Sequence, residues 1–486
     1  AASRWESSFR LDVCPDRLLV TGATEVDLLR ASLYLSNLWG LQRQACLAPG
    51  RRRVRPAVSL HLGADLWGGF CTTQAWVHGR ESDANFLELA RVGVNAFPVM
   101  TVLEDYIDSA PAPVELLATP RAAANLDRMA KLARQSARYG VYVFLMGYNP
   151  KLAPDHPLFT RYPGCAGASQ SGDTFRTLCT SDAATRAFVA RTWGSLFARI
   201  PDLGGIEAIT GGEGFYHCFM RSASAASDCP RCRVRQGSAV VAELVNSVAA
   251  AIQQQVPDAR LVTWPYSAGH WSGDLDQKQF VASLDADRVV FQTEIDKDSV
   301  DWRPAGYAKN IWDYSMSRVT PSPRCRRQRR LAAARQLPFS VKIECNNSIE
   351  CLNVPYLPVL DNQRAIWENA LRLRPEAIHS RWLFDGACKS PSEELGYWAI
   401  WGAGSAYRDL QATARALAER DFGPAAAGQV LLAWQRCSQA MRHHPQLDYY
   451  RGSYFVGPGQ PLVLDPDTAT GGGGLDPAFF GKFYWH

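Results

Sequence analysis

Several features that mark other classes of protein are missing from this chain of 486 residues. No segment reaches the roughly 18 uninterrupted apolar residues that a membrane-spanning helix needs. The 52 Lys and Arg residues are scattered and form no basic stripe interleaved with aromatic residues, so the formal net charge of +5 does not indicate a nucleic-acid surface. We therefore expect neither a membrane nor a nucleic acid as a partner.

Two further absences narrow the possible chemistry. No GxGxxG or GxxxxGKS/T loop follows the first predicted strand, which argues against an open nucleotide-binding sheet. Histidine is scarce, with nine residues, and only His61 and His379 fall within predicted strands, where we interpret them as core residues. A metal-dependent barrel hydrolase or isomerase usually requires several strand-end histidines, so we predict no cofactor and no catalytic metal.

The sequence leaves the localisation and the oligomeric state open. The segment AASRWESSFR at the start of the numbering contains no apolar signal-peptide core. We expect a secreted or periplasmic protein if a signal peptide has been removed, and a cytoplasmic protein otherwise.

Cysteine, in contrast, is abundant, with 13 residues. Cys229 and Cys232 form a CxxC pair, and Cys218 with the neighbouring His217 would bring the candidate zinc ligands to four. A zinc ribbon normally carries a second CxxC, which this segment lacks. Three interpretations stay open: a structural metal, a disulfide with one spare thiol, and free thiols.

Short apolar runs rich in β-branched and aromatic residues alternate with helical patterns along most of the chain. This alternation predicts parallel strands joined by helices, and eight such units most simply close into a (β/α)8 TIM barrel. We predict an N-terminal segment with one helix (1–55), the barrel (56–390), and a C-terminal helical region with a Gly-rich tail (391–486). The predicted strands cover residues 57–63, 93–100, 140–149, 204–212, 259–267, 287–296, 339–345 and 377–386.

Acidic residues recur where these predicted strands end, and barrel active sites lie at the carboxyl ends of the strands. Glu213 ends strand 4, Glu294 and Asp296 end strand 6, Glu344 ends strand 7, and Asp385 ends strand 8. Parallel barrel strands normally read as continuous Val, Ile and Leu. Several polar side chains on one face of a strand therefore predict a site.

Glu213 and Glu344 are the predicted catalytic pair, because glycoside hydrolysis requires one protonated and one ionised carboxyl group across a cleft. Glu213 stands in the segment TGGEGFYH, where neighbouring rings would bury the carboxyl group and raise its pKa, as a general acid requires. Lys342 would favour the ionised form of Glu344, as a nucleophile or base requires.

The other strand-end residues are predicted to contact substrate. Glu294 and Asp296 could bind sugar hydroxyls, supply the base of an inverting mechanism, or pair with a cation. Lys342 and Arg381 fall on predicted site-facing positions, where they would either bind an acidic sugar or neutralise the carboxylates. The remaining predicted contacts are Asp385, Trp67, Tyr148, Tyr266, Trp312 and Trp382.

In this arrangement the chain resembles the (β/α)8 glycosidases around the family 67 α-glucuronidases and the family 20 hexosaminidases. Three features carry the resemblance: a Glu after the fourth strand, the Cys-rich loop HCFMRSASAASDCPRC behind it, and the helical segment YWAIWGAGSAYRDLQATARALAERDFGP after strand 8. The resemblance covers about residues 56–440 and implies a hydrolase that acts on a glycosidic bond.

One departure from family 20 bears on the mechanism. Those enzymes carry Asp before the strand-4 Glu, where it steadies the acetamido group of the substrate, and here that residue is Gly212. We predict a glycosidase that cleaves a neutral or acidic sugar of an oligo- or polysaccharide with a protein-borne pair of carboxylates. The alternatives are a non-catalytic carbohydrate-binding barrel, and a substrate-assisted N-acetylhexosaminidase-like enzyme in which Glu294 or Asp296 takes the role of that Asp.

Overall fold

The structure, a computed structural model, describes residues 3–63, 82–108, 117–170, 174–212, 214–220, 228–302, 308–311, 313–346, 348, 356–381 and 390–443. Its strands are β1 (Phe9–Val13), β2 (Leu18–Gly22), β3 (Gly50–Val54), β4 (Leu60–Leu62), β5 (Ala96–Val102), β6 (Tyr142–Tyr148), β7 (Lys151–Leu152), β8 (Ala166–Gln170), β9 (Phe175–Leu178), β10 (Gly205–Ile209), β11 (Arg260–Trp264), β12 (Val289–Glu294), β13 (Ser299–Trp302), β14 (Ala308–Ile311), β15 (Phe339–Lys342) and β16 (Ala377–His379).

The α-helices of the described ranges are α1 (Glu25–Gln42), α2 (Asp83–Arg91), α3 (Ala122–Ala137), α4 (Pro157–Arg161), α5 (Ala183–Arg199), α6 (Gly237–Gln255), α7 (Gly269–Ser272), α8 (Lys278–Ser283), α9 (Pro323–Ala334), α10 (Leu360–Arg372), α11 (Pro391–Trp401), α12 (Leu410–Phe422) and α13 (Pro424–Arg442). Polar caps explain several of the starts. Ser82, Asp182, Ser322 and Ser390 each accept a hydrogen bond from the backbone N–H three residues further on, which satisfies a donor that the first helical turn leaves open.

Eight strands close into a parallel barrel in which chain order and spatial order agree: β4, β5, β6, β10, β11, β12, β15 and β16, with β16 paired to β4. Every predicted strand overlaps one of them, so the predicted (β/α)8 barrel is confirmed. Strands β10 and β12 are buried along their whole length, because the barrel interior covers one face and the outer helices cover the other.

The N-terminal segment contains more structure than the single helix predicted for it. Besides α1, the strands β1, β2 and β3 form an antiparallel sheet with β1 in the middle. The sequence pattern did not indicate these strands because they are short and much of their surface is exposed, as in the β3 sequence GRRRV. Thr24 and Asp27 form a capping box that begins α1.

Trp5 closes the amino-terminal end of the barrel. Its side chain is 2% exposed and packs in an apolar cluster with Leu60, Leu62, Ala96, Phe144, Val262, Val290 and Ala377, which belong to six barrel strands. The indole Nε1 donates a hydrogen bond of 2.6 Å to the carbonyl oxygen of Asp258. The N-terminal segment therefore supplies part of the barrel core.

Trp5→Ala is expected to lower the free energy of unfolding by about 3–5 kcal/mol, because it removes a buried ring and leaves a cavity that six strands cannot collapse to fill. Thermal and urea unfolding would measure the loss. The control is Leu19→Ala, since Leu19 is 52% exposed and should change stability by less than about 0.5 kcal/mol. Equal unfolding midpoints for the two variants would contradict a structural role for Trp5.

The helices after the barrel pack back onto the N-terminal segment. The ring of Trp401 in α11 stacks on Phe9 of β1 at a centroid distance of 6.1 Å, and Trp398 meets Tyr34 of α1 edge-on at 5.7 Å. The described part of the C-terminal region is thus helical, as predicted, and the Gly-rich tail lies outside the described residues. In the ranges given above, no helix combines the length and apolar character needed to cross a membrane.

Candidate active site at the carboxyl ends of the barrel strands

The structure brings several of the predicted site residues together. Lys342, Glu344, Glu294, Asp296 and Tyr266 gather where β11, β12 and β15 end, and Tyr148 lies at the end of β6. The predicted residues Glu213, Asp385, Trp67, Trp312 and Trp382 lie outside the described residues, so their roles stay predictions.

Lys342 is the centre of this group. Its Nζ lies 2.5 Å from Glu344 Oε1 and 3.1 Å from Asp313 Oδ1, and it stands 3.6 Å above the centroid of the Tyr314 ring. Lys342, Asp313 and Glu344 are each at most 2% exposed. Neither Asp313 nor Tyr314 was predicted, because both belong to the connection between β12 and β15, and the strand pattern says nothing about such a connection.

Glu344 has the electrostatics of a reactive carboxyl group. Burial raises its pKa to about 7, and the cation of Lys342 only partly offsets that effect. The sequence interpretation counted the cation but not the burial, and burial is the larger influence. Oε2 of Glu344 accepts no hydrogen bond from any described residue. A buried carboxylate oxygen without a donor is costly, which makes Glu344 a candidate for contact with a bound hydroxyl.

Glu294 and Asp296 lie beside the Lys342 group but have their own partners. Trp264 Nε1 donates a hydrogen bond of 2.8 Å to Glu294 Oε1, and Arg324 Nη1 lies 3.6 Å from Oε2 of the same residue. The backbone N–H of Ser315 donates to Asp296 Oδ2 at 2.6 Å. Burial raises the pKa of both carboxyl groups, and for Asp296 the nearby Asp313 adds to the effect.

Tyr266 and Tyr314 shape the wall above these charges. The hydroxyl of Tyr314 donates a hydrogen bond of 3.0 Å to the hydroxyl of Tyr266, and Lys297 Nζ stands 4.3 Å from the centroid of the Tyr266 ring. Tyr266, Tyr314 and Asn346 adopt left-handed backbone conformations, with φ of +32°, +61° and +72°. Non-glycine residues in this region carry strain, and such residues concentrate at functional sites.

A polar layer that the sequence did not predict lies inside the barrel, among the β10, β12 and β16 side chains. Gln292 Nε2 donates to Glu207 Oε1 at 2.8 Å, and His379 Nδ1 lies 2.9 Å from the same oxygen. The three residues belong to barrel strands 4, 6 and 8, and alternate strands of a barrel fill one layer. The signs available in the sequence were the polar residues Glu207, Gln292 and His379 within otherwise apolar strands.

The residues on either side of Glu213 form a tightly bonded turn. Gly212 and Gly214 have φ of +96° and +86°, which side-chain-bearing residues rarely adopt. Gly212 N–H donates to the Met220 carbonyl at 3.1 Å. His217 Nε2 lies 2.8 Å from the Thr210 carbonyl, and its Nδ1 accepts from Phe219 N–H at 3.1 Å. The glycine-rich turn predicted from the sequence is therefore present.

If Glu213 is the acid that the sequence predicts, Gly212→Ala is expected to lower kcat at least about 10-fold. A left-handed backbone costs an alanine roughly 1–2 kcal/mol, and relief of that strain would move the turn next to Glu213. Steady-state rates and the unfolding midpoint measure the two effects. Gly428→Ala is the matched control, since Gly428 lies in α13 with open space around its Cα and an ordinary φ. It should keep full activity, and equal rates for the two variants would contradict the expected role of the turn.

An aromatic group flanks the same turn on the β6 side. The Tyr148 and Phe175 rings lie 6.1 and 5.7 Å from the ring of Tyr216, and Lys151 Nζ stands 5.0 Å from the centroid of the Tyr216 ring. Tyr148 is partly exposed, and its predicted contact with substrate stays a prediction. Nearby Glu104, not considered from the sequence, has a pKa that burial raises to about 7.

Arg381 pairs with a different carboxylate from the two that contact Lys342. Strand β16 ends at His379, so the alternation that predicted a site-facing Arg381 does not extend to this residue. Its Nη1 instead lies 3.2 Å from Glu393 Oε1 of α11. Arg381, Glu393, His61 and Trp367 line one small cavity beside the barrel. His61 is buried there with its pKa lowered to about 4 by desolvation, in keeping with a core histidine.

The cysteine cluster differs from the predicted set. Cys218, Cys229 and Cys232 are joined by Cys179, and the four buried Sγ atoms lie within 4.8 Å of one another. His217 is not the fourth member, because its ring nitrogens meet the backbone of Thr210 and Phe219. Cys179 is distant in sequence from the CxxC pair, so no local motif indicated it.

Comparison with solved structures defines the class of fold. A GH138 glycoside hydrolase described as targeting pectin rhamnogalacturonan II aligns with 91% of this chain and 50% of its own length, at 10% identity and a TM-score of 0.59. The GH20 β-N-acetylhexosaminidase of Streptomyces coelicolor A3(2) aligns with 87% of this chain and 82% of its own, at 14% identity and a TM-score of 0.47. A GH20 exo-β-N-acetylglucosaminidase of Vibrio harveyi aligns with 87% of this chain and 66% of its own length, at 10% identity and a TM-score of 0.43.

The GH138 enzyme, at a TM-score of 0.59, shares the (β/α)8 barrel fold with this chain. The chain spans about half the length of that enzyme. No protein-family model matches the chain, and no curated protein matches its sequence.

Proposed function

We propose that this chain is a glycoside hydrolase that cleaves a glycosidic bond at the mouth of the barrel. The observation that supports the proposal most directly is Glu344. It is a buried carboxyl group just beyond a barrel strand, it has Lys342 at 2.5 Å, and its pKa is raised to about 7. Carboxyl groups with raised pKa values at strand ends are typical of glycosidase sites.

Two carboxyl groups divide the chemistry. Glu213 is the proposed general acid, which gives its proton to the leaving glycosidic oxygen. Glu344 is the proposed nucleophile or base, which attacks the anomeric carbon or takes a proton from water on the opposite face. A base with a pKa close to the working pH is efficient, because it is ionised often enough and still holds a proton well. Lys342 stabilises the ionised form of Glu344 during each cycle.

The charges around Glu344 favour hydroxyl-rich substrates. Oε2 of Glu344, Oδ2 of Asp313 and Oε2 of Glu294 accept no hydrogen bond from the described residues, and sugar hydroxyls are suitable donors. Lys342 is already paired with two carboxylates, Asp313 and Glu344, so its charge is neutralised within the site and is not offered to an acidic sugar. We therefore propose a neutral sugar at this position, with polysaccharide degradation as the wider role.

Hydrolysis of a panel of aryl glycosides tests the proposal. The panel holds neutral, N-acetylated and uronic sugars, with rhamnogalacturonan II oligosaccharides added because the GH138 neighbour is described as targeting that polymer. Turnover of one class is expected, and proton NMR of the first product anomer separates retention from inversion. Binding on a glycan array without turnover of any compound would contradict the enzyme and favour a carbohydrate-binding barrel.

A further inference from the structure

The four-cysteine cluster stands outside the proposed catalytic site. Cys179 follows β9, Cys218 lies in the connection after β10, and Cys229 and Cys232 precede α6. All four side chains are completely buried. Three separate segments of the chain therefore meet at the cluster: two of them contribute one thiol each, and the third contributes two.

The spacing of the sulfur atoms identifies the kind of site. Cys229 Sγ lies 3.5 Å from Cys179 Sγ, and Cys179 Sγ lies 3.9 Å from Cys232 Sγ. A tetrahedral zinc ion with Zn–S bonds of about 2.3 Å holds its sulfurs about 3.8 Å apart, whereas a disulfide joins two sulfurs at about 2.0 Å. All the sulfur separations are below 4.8 Å. The arrangement matches a four-thiolate tetrahedron rather than two disulfides.

We propose that Cys179, Cys218, Cys229 and Cys232 bind one structural zinc ion. Each thiol loses its proton on binding, so four S–Zn bonds form without any redox step. Four protein ligands complete a tetrahedron and leave no open position for substrate or water. The proposed zinc site is therefore structural rather than catalytic.

Groups around the cluster are arranged to support thiolates. The backbone N–H of Ala168 donates to Cys218 Sγ at 3.3 Å. Ser181 Oγ lies 3.2 Å from Cys232 Sγ, and Arg235 Nη1 reaches the same hydroxyl at 3.4 Å. Hydrogen bonds of this kind orient metal ligands and stabilise their negative charge.

The zinc ion would hold the turn that carries Glu213. The connection from β10 to α6 is long, its described residues contain little regular structure, and such connections need anchors. Cys218 lies in the bonded turn of residues 214–220, whereas Cys179 directly follows β9 of the three-stranded sheet β7, β9 and β8. The metal would fasten the turn to that sheet and to the start of α6.

Metal analysis of the full chain tests the proposal. The protein is purified under reducing conditions without chelator, desalted, and analysed by inductively coupled plasma mass spectrometry. We expect about one zinc per chain, and release of that zinc when a mercurial reagent blocks the thiols. Replacement by Co²⁺ should give the thiolate charge-transfer and visible bands of tetrahedral four-sulfur coordination.

Variants locate the metal. Cys229→Ser should lose most of the zinc, whereas Cys165→Ser should keep it, because Cys165 is a buried thiol nearby that does not belong to the cluster. A wild-type protein without zinc after reconstitution would overturn the proposal, as would a disulfide among these cysteines found by mass spectrometry. Iron in place of zinc, or zinc retained by soluble Cys229→Ser, would also overturn it. The zinc content of the wild-type protein tests the proposal without the variants, so a variant that folds poorly does not prevent a decision.

Discussion

Glu344→Gln is expected to lower kcat/KM for the cleaved glycoside by about 10³-fold or more, with every leaving group, because it removes the group that attacks or activates water. Glu213→Gln should behave differently. Protonation by a general acid contributes about 10²–10⁴-fold, and a dinitrophenyl leaving group departs without it. The Glu213 variant should therefore keep most of its activity on dinitrophenyl glycosides and lose it on alkyl glycosides.

Comparison of both variants across the two leaving groups separates the roles. Glu368→Gln is the matched control, since Glu368 lies in outer helix α10 and pairs with Arg364 and Arg372. It should retain wild-type rates. Full activity of Glu344→Gln on both dinitrophenyl and alkyl glycosides would show that another residue, Glu294, Asp296 or Glu104, is the second catalytic carboxylate. Equal losses of activity for Glu213→Gln on the two kinds of glycoside would contradict its role as the acid.

Lys342→Met is expected to destabilise the protein by about 3–5 kcal/mol, because it leaves buried carboxylates without their shared cation. Those carboxylates are Asp313 and Glu344, at 3.1 and 2.5 Å, with Asp296 close enough to raise the pKa of Lys342. Urea and thermal unfolding measure the loss. In the double variant Lys342→Met/Glu344→Gln part of the stability should return, since one unpaired acid is gone.

The same substitution should move the pH dependence of the reaction. Glu344 must be ionised to attack, so the rate of the wild type should rise with pH through about 7, the pKa of Glu344. A lost cation disfavours the ionised form and raises that pKa, so the acidic limb of the profile should shift to higher pH. Lys278→Met, at the exposed start of α8, is the control and should leave the profile unchanged. A shift toward lower pH would contradict the proposed role of Lys342.

If zinc holds the turn as proposed, the two sites are linked through Cys218 and the bonded turn of residues 214–220. Gly212 N–H meets the Met220 carbonyl, and Asn149 Nδ2 donates to the Tyr216 carbonyl at 3.2 Å. Asn149 in turn accepts a hydrogen bond of 2.8 Å from Trp193 Nε1 of α5. The position of the proposed acid would thus depend on contacts with several elements rather than on its own strand alone.

Local pattern was enough to establish the barrel. Runs of apolar residues bounded by glycine and polar caps indicated all eight strands, because a strand buried on both faces must be apolar along its length. The glycines before Glu213 also indicated their turn correctly. Strand alternation placed Lys342 and Glu344 together, and the two side chains are in contact.

Local pattern failed where a contact joins distant segments. Alternation did not indicate the partner of Arg381, because β16 is only three residues long and the guanidinium pairs with Glu393 of α11. Asp313, which pairs with Lys342 together with Glu344, lies in the connection between β12 and β15, for which the strand pattern made no prediction. Cys179 contacts the CxxC pair although helix α5 and strand β10 separate them along the sequence.

The sequence by itself therefore determined the barrel strands, the glycine turn and the end of the barrel at which the carboxylates gather, because periodicity and turn chemistry act over a few residues. Only the tertiary structure decided which charges pair, how burial raises the pKa of Glu344, and which cysteine completes the cluster. Pairing and desolvation depend on what packs around a side chain, and those neighbours come from residues far away in the sequence.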